Sequence, residues 1–272
     1  SLVFKPFPFI FESNVTLSVR TENRALVNSE GAAVVNGNSY VRLSYRLSSR
    51  TEDGMDLERS KTYDSNRLED LPNDEDIKKD MLNSVAELQV LLKAPIVEPF
   101  TGPAIIRNRA TGVYFHEILG HRLEGHRQKI EEEGQTFTKM LGKQVVAPFI
   151  SVYDDPTIKH VAGQFLRGYY KFDDEGVSAQ RVALIKNGVL KTFLLSRAPV
   201  RGFSRSNGHG RRSAGNDVVA RMGNTIVEAS ATVSYDALRA KLVSEIKRQK
   251  KPYGLIFEDI AGGVTATTRS AP

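Results

Sequence analysis

The sequence predicts an α+β fold, built largely on antiparallel sheet with a few long helices. Two observations predict it: an early stretch in which apolar and polar residues alternate, and separate segments in which apolar residues recur every three or four positions. Runs of strand and helix kept apart, rather than alternating, favour antiparallel pairing over a βαβ sheet. With 272 residues, 40% of them hydrophobic, the chain can bury one large core or two smaller ones.

Period-two alternation runs from residue 15 to about residue 62 and is clearest in YVRLSYRLS. There Val41, Leu43, Tyr45 and Leu47 alternate with Arg42, Ser44, Arg46 and Ser48, the pattern of half-buried strands. NSEG (residues 28–31) and NGN (residues 36–38) carry turn chemistry, so a meander with a turn at each place is expected. After the polar NRLEDLPND the period lengthens: Ile77, Met81, Val85, Leu88 and Leu92 share one helical face, Asn73 is placed to cap its start and Pro95 to stop its end. Pro95, Pro99 and Pro103 mark a connector, and AIIRN then reads as a short buried strand. Beyond Pro148 strands dominate again. In VALIKNGVLKTFLLS, Asn187-Gly188 suits a type I′ turn between two apolar runs. VSYDALRAKLVSEIKRQ reads as a helix capped by Ser234, and GLIFEDI as a strand. No repeat of solenoid length occurs.

Composition excludes several classes. No apolar run is long enough to cross a bilayer, and the first residues lack the order of a signal peptide, so a soluble, cytoplasmic chain without a membrane partner is expected. The absence of cysteine excludes disulfides and thiolate ligands within these residues. The chain starts at Ser1 without Met and ends in TTRSAP, so both ends read as cuts inside a longer protein. A net charge of +6 and a pI near 9.4 permit an acidic partner. The densest basic run, RAKLVSEIKRQKK (residues 239–251), has Leu238, Leu242 and Ile246 at helical spacing in and beside it, which makes it an amphipathic helix with a solvated basic face. It carries no interleaved aromatics for stacking bases, and a nucleic-acid partner is not expected.

The chemistry concentrates in YFHEILGHRLEGHRQ, residues 114–128, which holds His116, His121 and His126, three of the five histidines, together with Glu117 and Glu124. Imidazole is the commonest zinc ligand, and a catalytic zinc needs about three protein ligands and an open position. Histidines four apart on a helix share a face, but His116 and His121 are five apart, about 140° round a regular helix. A π-bulge at Gly120, or the end of the helix there, would bring them together, so an irregularity over residues 119–121 is expected. Glu117, beside one histidine but pointing elsewhere, fits a general base that takes a proton from the attacking water. The alternative is an ordinary polar face of an amphipathic helix. His126 is a rival ligand, again five from His121, although GHRQK reads as a solvated helix exit.

The extended string HEILGHRLEGHR resembles the HExxxH-x-LEG signature of the TldD/PmbA metalloprotease family, long labelled modulators of DNA gyrase. DDEGVSAQRVALIKNGVL, LLSRAPVRGFSRSNGHGRR and ARMGNTIVEAS then follow in the family's order, so that the resemblance covers residues 103–263. It implies a zinc-dependent peptidase of the catalytic, TldD-like kind, acting on unfolded or extended peptides as a homodimer or a heterodimer with a related member. Carried over by motif, His116 and His121 are zinc ligands and Glu117 the general base. The family's third ligand is a cysteine, expected beyond residue 272, in a C-terminal part that these residues lack. Residues 1–95 would close an N-terminal domain, and residues 96–272 would form the first part of the catalytic domain.

Smaller expectations attach to three more residues. Glu124 could accept a hydrogen from a ligand imidazole or be an ion-paired helix residue. His209 and Arg211, in the NGHGRR loop, could approach a peptide or its carboxylate, or lie in a flexible surface loop. Two other functions compete with the peptidase: a peptide-binding scaffold working by strand addition, and a nucleic-acid-associated regulator.

Overall fold

The computed structural model describes residues 2–129 and 136–260. In chain order, β1 (Glu12–Val27), β2 (Ala33–Arg50) and β3 (Asp56–Ser65) precede α1 (Asp74–Leu91), β4 (Ala104–Ile106) and α2 (Asn108–Phe115). A π turn (His116–Gly120) and two 3₁₀ turns (His121–Leu123 and Gly125–Gln128) continue α2. Then come β5 (Ile150–Asp154), β6 (His160–Val161), β7 (Gln164–Phe165), β8 (Val182–Lys186), β9 (Val189–Leu190), β10 (Gly210–Arg211), β11 (Val219–Ala220), β12 (Thr225–Ala229), α3 (Tyr235–Arg248) and β13 (Leu255–Phe257). These elements form two compact units. The α+β class, mostly antiparallel with few helices, is the one expected from the sequence.

The first unit comprises Ser1–Arg24, Val35–Pro99 and Lys159–Arg167. Its sheet has the order β1–β2–β3, with β2 and β3 antiparallel in register from Val41 opposite Ser65 to Arg50 opposite Asp56. The apolar face of α1 (Ile77, Met81, Val85, Leu88) packs with Tyr45, Leu47 and Phe4. Asn73 caps the helix by accepting the Asp76 N–H at 2.9 Å, satisfying one of the donors a helix start leaves free. Two sequence expectations fail here. NGN makes no turn: residues 36–38 lie within β2, where a side chain on Gly37 would collide with Asn23. Glycine serves there as clearance for a neighbouring side chain, and sheet pairing overrides local turn chemistry. Val15, Leu17 and Val19 are also exposed rather than half-buried, because the residues that cover the sheet, such as Phe4 and the face of α1, gather on Tyr45 and Leu47.

The second unit comprises Ala25–Val34, Phe100–Ile158 and Gly168–Pro272. Its four-stranded sheet has the order β12–β5–β8–β9, all antiparallel. Asn187 and Gly188 both have positive φ (50° and 79°), as the type I′ turn between β8 and β9 requires. Val152, Leu184, Ile185, Leu190 and Leu194 build the core, and Leu119 and Leu123 drive the histidine-bearing segment into it. The segment is launched by β4, which pairs in parallel with β13; the Arg107 N–H then donates to Phe257 O at 2.9 Å, and Thr111 Oγ1 to Ile106 O at 2.8 Å. Ser234 caps α3, accepting the Ala237 N–H at 3.2 Å, and Leu242 is its one buried residue. Among the described residues no helix is long and apolar enough to cross a membrane.

Candidate metal centre

The helix carrying the histidines does not stay regular. From His116 to Gly120 it is a π turn, closed by the His121 N–H donating to His116 O, an i→i+5 bond. The extra residue in the turn compensates the five-residue spacing, and the two imidazoles stand edge to face with centroids 4.7 Å apart. Gly120 has ordinary right-handed dihedrals, so its role is clearance: a Cβ there would run into the sulfur of Met222. One donor atom each from His116, Glu117 and His121 lies within 4.8 Å of the others, the one such group among the described residues. The Glu117 carboxylate reaches towards both rings, 4.0 Å from His116 Nε2 and 3.9 Å from His121 Nε2.

LEG, residues 123–125, does three separate jobs. Leu123 is fully buried in the core. Glu124 leaves the helix in extended conformation (φ −74°, ψ 114°), beside Leu194 in parallel pairing. Its carboxylate has no exposed surface; Oε1 lies 3.2 Å from His121 Nδ1, and Oε2 accepts from Arg127 Nε at 2.7 Å, with Arg221 at 3.5 Å. A proton on His121 Nδ1 then serves Glu124 and leaves the Nε2 lone pair facing Glu117 and His116. Gly125 donates its N–H to Leu194 O at 2.8 Å, and a Cβ there would stand 2.5 Å from that same oxygen. The polar atoms of the turn are therefore fixed by groups behind it.

His116 is the exposed partner, its side chain 52% accessible against 16% for His121. Partial burial, and next the neighbouring His121, lower its pKa from the ordinary imidazole value, which favours the neutral ring a metal requires. The donor set suits a transition ion such as zinc. His116 and His121 would hold such an ion, and the half-exposed His116 ring is the one with room to adjust towards it.

The other residues named from sequence lie elsewhere. His126 is outside the three-residue group, and its segment is no solvated exit: Gly125 is buried, Arg127 packs on Glu124, and Gln128 donates to Arg122 O at 3.1 Å. His209 has no exposed surface; its Nε2 lies 3.1 Å from Asp154 Oδ1 and its Nδ1 2.9 Å from Asn207 O. Arg211 lies over the Tyr170 ring, 4.3 Å from its centroid, and 3.5 Å from Asp174. NGHGRR is therefore a packed segment, with β10 paired to β11.

Sequence reasoning missed Asp154, Met222 and Thr225. Asp154 accepts from the Gly223 N–H at 2.9 Å and from Thr225 Oγ1 at 2.7 Å, besides facing His209. A carboxylate closing the apolar strand ISVYD was the available signal, since a buried acid at a strand end needs several donors.

Residues 100–270 match the family described as the PmbA/TldA metallopeptidase C-terminal domain. A metalloprotease of Methanocaldococcus jannaschii is 35% identical over 159 residues, 57% of this chain and 34% of that protein. A metalloprotease TldD homolog of Buchnera aphidicola is 28% identical over 265 residues, 93% of this chain and 51% of that one. A relative from Saccharolobus solfataricus, named as a zinc metalloprotease TldD homolog, is 32% identical over 95 residues, 35% of this chain and 20% of its own. The crystal structure of TldE from Thermococcus kodakarensis has the same fold, with a TM-score of 0.62 at 20% identity over 87% of this chain and 51% of that one. The chain spans about half the length of these proteins or less. With the family match covering most of its residues, the chain belongs to the TldD/PmbA metallopeptidase family.

Proposed function

We propose that the chain carries the metal-binding and proton-transferring part of a zinc-dependent peptidase that cleaves unfolded or extended peptides. The observation that carries the reading is the π turn, which gathers the His116 and His121 imidazoles around the Glu117 carboxylate. His116 and His121 would hold zinc, and Glu124 would set the His121 ring by accepting its Nδ1 hydrogen. The third protein donor of such a site is the family's cysteine, which residues 1–272 do not contain. Zinc, when bound, polarises the scissile carbonyl and makes water a competent nucleophile near neutral pH. Glu117 takes the proton of the attacking water on a carboxylate oxygen and passes it to the leaving nitrogen. A second copy or a related family member is the proposed partner, and the cytoplasm is the proposed compartment.

The test compares two variants of the intact protein. Glu117→Gln keeps zinc and peptide affinity but lowers turnover about 10²-fold or more, the scale of losing a positioned base. His116→Ala loses both metal and turnover. Normal hydrolysis by zinc-loaded Glu117→Gln would remove Glu117 from the mechanism. Unchanged function in both variants would leave a peptide-binding scaffold.

A further inference from the structure

Beside His116 a cleft of about 390 Å³ opens between α2 and residues 222–227, within the size range of small-ligand sites. Gly112, Phe115 and His116 line it from one side, and Met222, Thr225 and Val227 from the other. His116 is its one ionisable lining residue among those described. Apart from that imidazole, which is proposed to face the metal, the walls offer methyl, thioether, aromatic ring and hydroxyl. A charged side chain would be desolvated there without a counter-charge, whereas an apolar one would bury its surface.

The cleft is built rather than incidental, because its far wall is tied down from behind. Asp154, fully buried, accepts the Gly223 N–H and the Thr225 hydroxyl, and it faces His209. The His209 ring lies between Asp154 Oδ1 and Asn207 O and bridges the two. Asn224 donates to Asp155 O at 3.1 Å and Ile158 O at 2.9 Å, and accepts the Gly168 N–H at 2.9 Å. Such a wall keeps its shape with or without an occupant.

We propose that this cleft is a substrate subsite taking one large apolar side chain of the peptide, from a residue adjacent to the scissile bond, with Asp154 and His209 as positioning residues for its wall. The proposal rests on the peptidase reading for what lies next to the cleft, and on the cleft's own walls for what enters it.

Gly112 supplies the test, since a Cβ there meets nothing within 4 Å and glycine inside a helix is replaced without backbone strain. Gly112→Phe fills the cleft, and Gly112→Met is a smaller filler should the first not fold by thermal melting. Affinity is read by fluorescence anisotropy in a zinc-loaded Glu117→Gln background, so that binding is separated from turnover. The probes are Gly-Ala peptides with a single Leu, Gly or Asp placed at each position in turn. One Leu position should tighten binding about 10-fold or more over Gly, the scale of burying a leucine side chain. Asp there should give no gain, and the filled variants should lose the Leu gain while binding the Gly peptide within about 2-fold of the parent. A Leu gain that survives filling, an Asp gain equal to it, or no preference at any position would overturn the subsite. Should the preference appear and vanish on filling while the parent enzyme hydrolyses no peptide, the subsite stands and the peptidase reading falls.

Discussion

His121 Nδ1 lies 3.2 Å from Oε1 of Glu124, a carboxylate without exposed surface. The pair joins the candidate metal centre to the core, since Glu124 is held in turn by Arg127 and by the strand-like pairing at Leu194. An acceptor behind a ligand imidazole fixes its tautomer and ring angle. Glu124→Gln should therefore weaken zinc binding about 10- to 100-fold in a chelator-competition titration. In the metal-free protein, ¹⁵N shifts of His121 should show the Nδ1 hydrogen redistributed between the two nitrogens. Equal zinc affinity and unchanged shifts would reduce Glu124 to a partner of Arg127.

Two glycines in one motif should respond differently to the same added methyl. At Gly125 the new Cβ meets a backbone oxygen, Leu194 O at 2.5 Å, which cannot step aside without breaking the pairing. Gly125→Ala should cost about 1–3 kcal/mol by denaturant unfolding, the range for overpacking a filled site. At Gly120 the obstacle is the end of the Met222 side chain, which can rotate away. Gly120→Ala should be the milder variant, and Met222→Ala should relieve it in a double-mutant cycle. Equal losses at both positions would show that the π turn itself excludes a side chain.

The Asp154–His209 pair is buried on both sides, and its carboxylate also receives Gly223 and Thr225. His209→Ala removes one partner of a buried carboxylate that keeps Gly223 and Thr225, and should destabilise the protein by about 1–3 kcal/mol. Its zinc affinity, measured below the new melting temperature, should stay within about 3-fold of the parent, a change of under 1 kcal/mol. A stable His209→Ala variant would mean that water replaces the ring.

How far local chemistry carries can be read from particular elements. The face Ile77, Met81, Val85 and Leu88, the Asn73 and Ser234 caps and the Asn187-Gly188 turn were all legible, because each depends on interactions within a few residues of chain. NGN failed because residues 36–38 run inside one long strand beside β1, and a pairing partner elsewhere in the chain leaves no mark on a local pattern. The same division runs through the candidate metal centre. Five-residue spacing plus Gly120 announced an irregular helix, since two rings about 140° apart cannot share an ion otherwise.

The sequence by itself determined the fold class, the helix faces and caps, and the demand for a distorted turn between His116 and His121, all consequences of short-range sterics and hydrogen bonding. Tertiary structure alone decided that the distortion is a π turn with Met222 filling the space over Gly120, and that Glu124 faces inward to His121 and Arg127. It alone also decided that His209 lies behind the cleft wall on Asp154, 55 residues away in the chain. Burial and the partners of a buried charge depend on which distant segments pack together, and a linear spacing does not encode that.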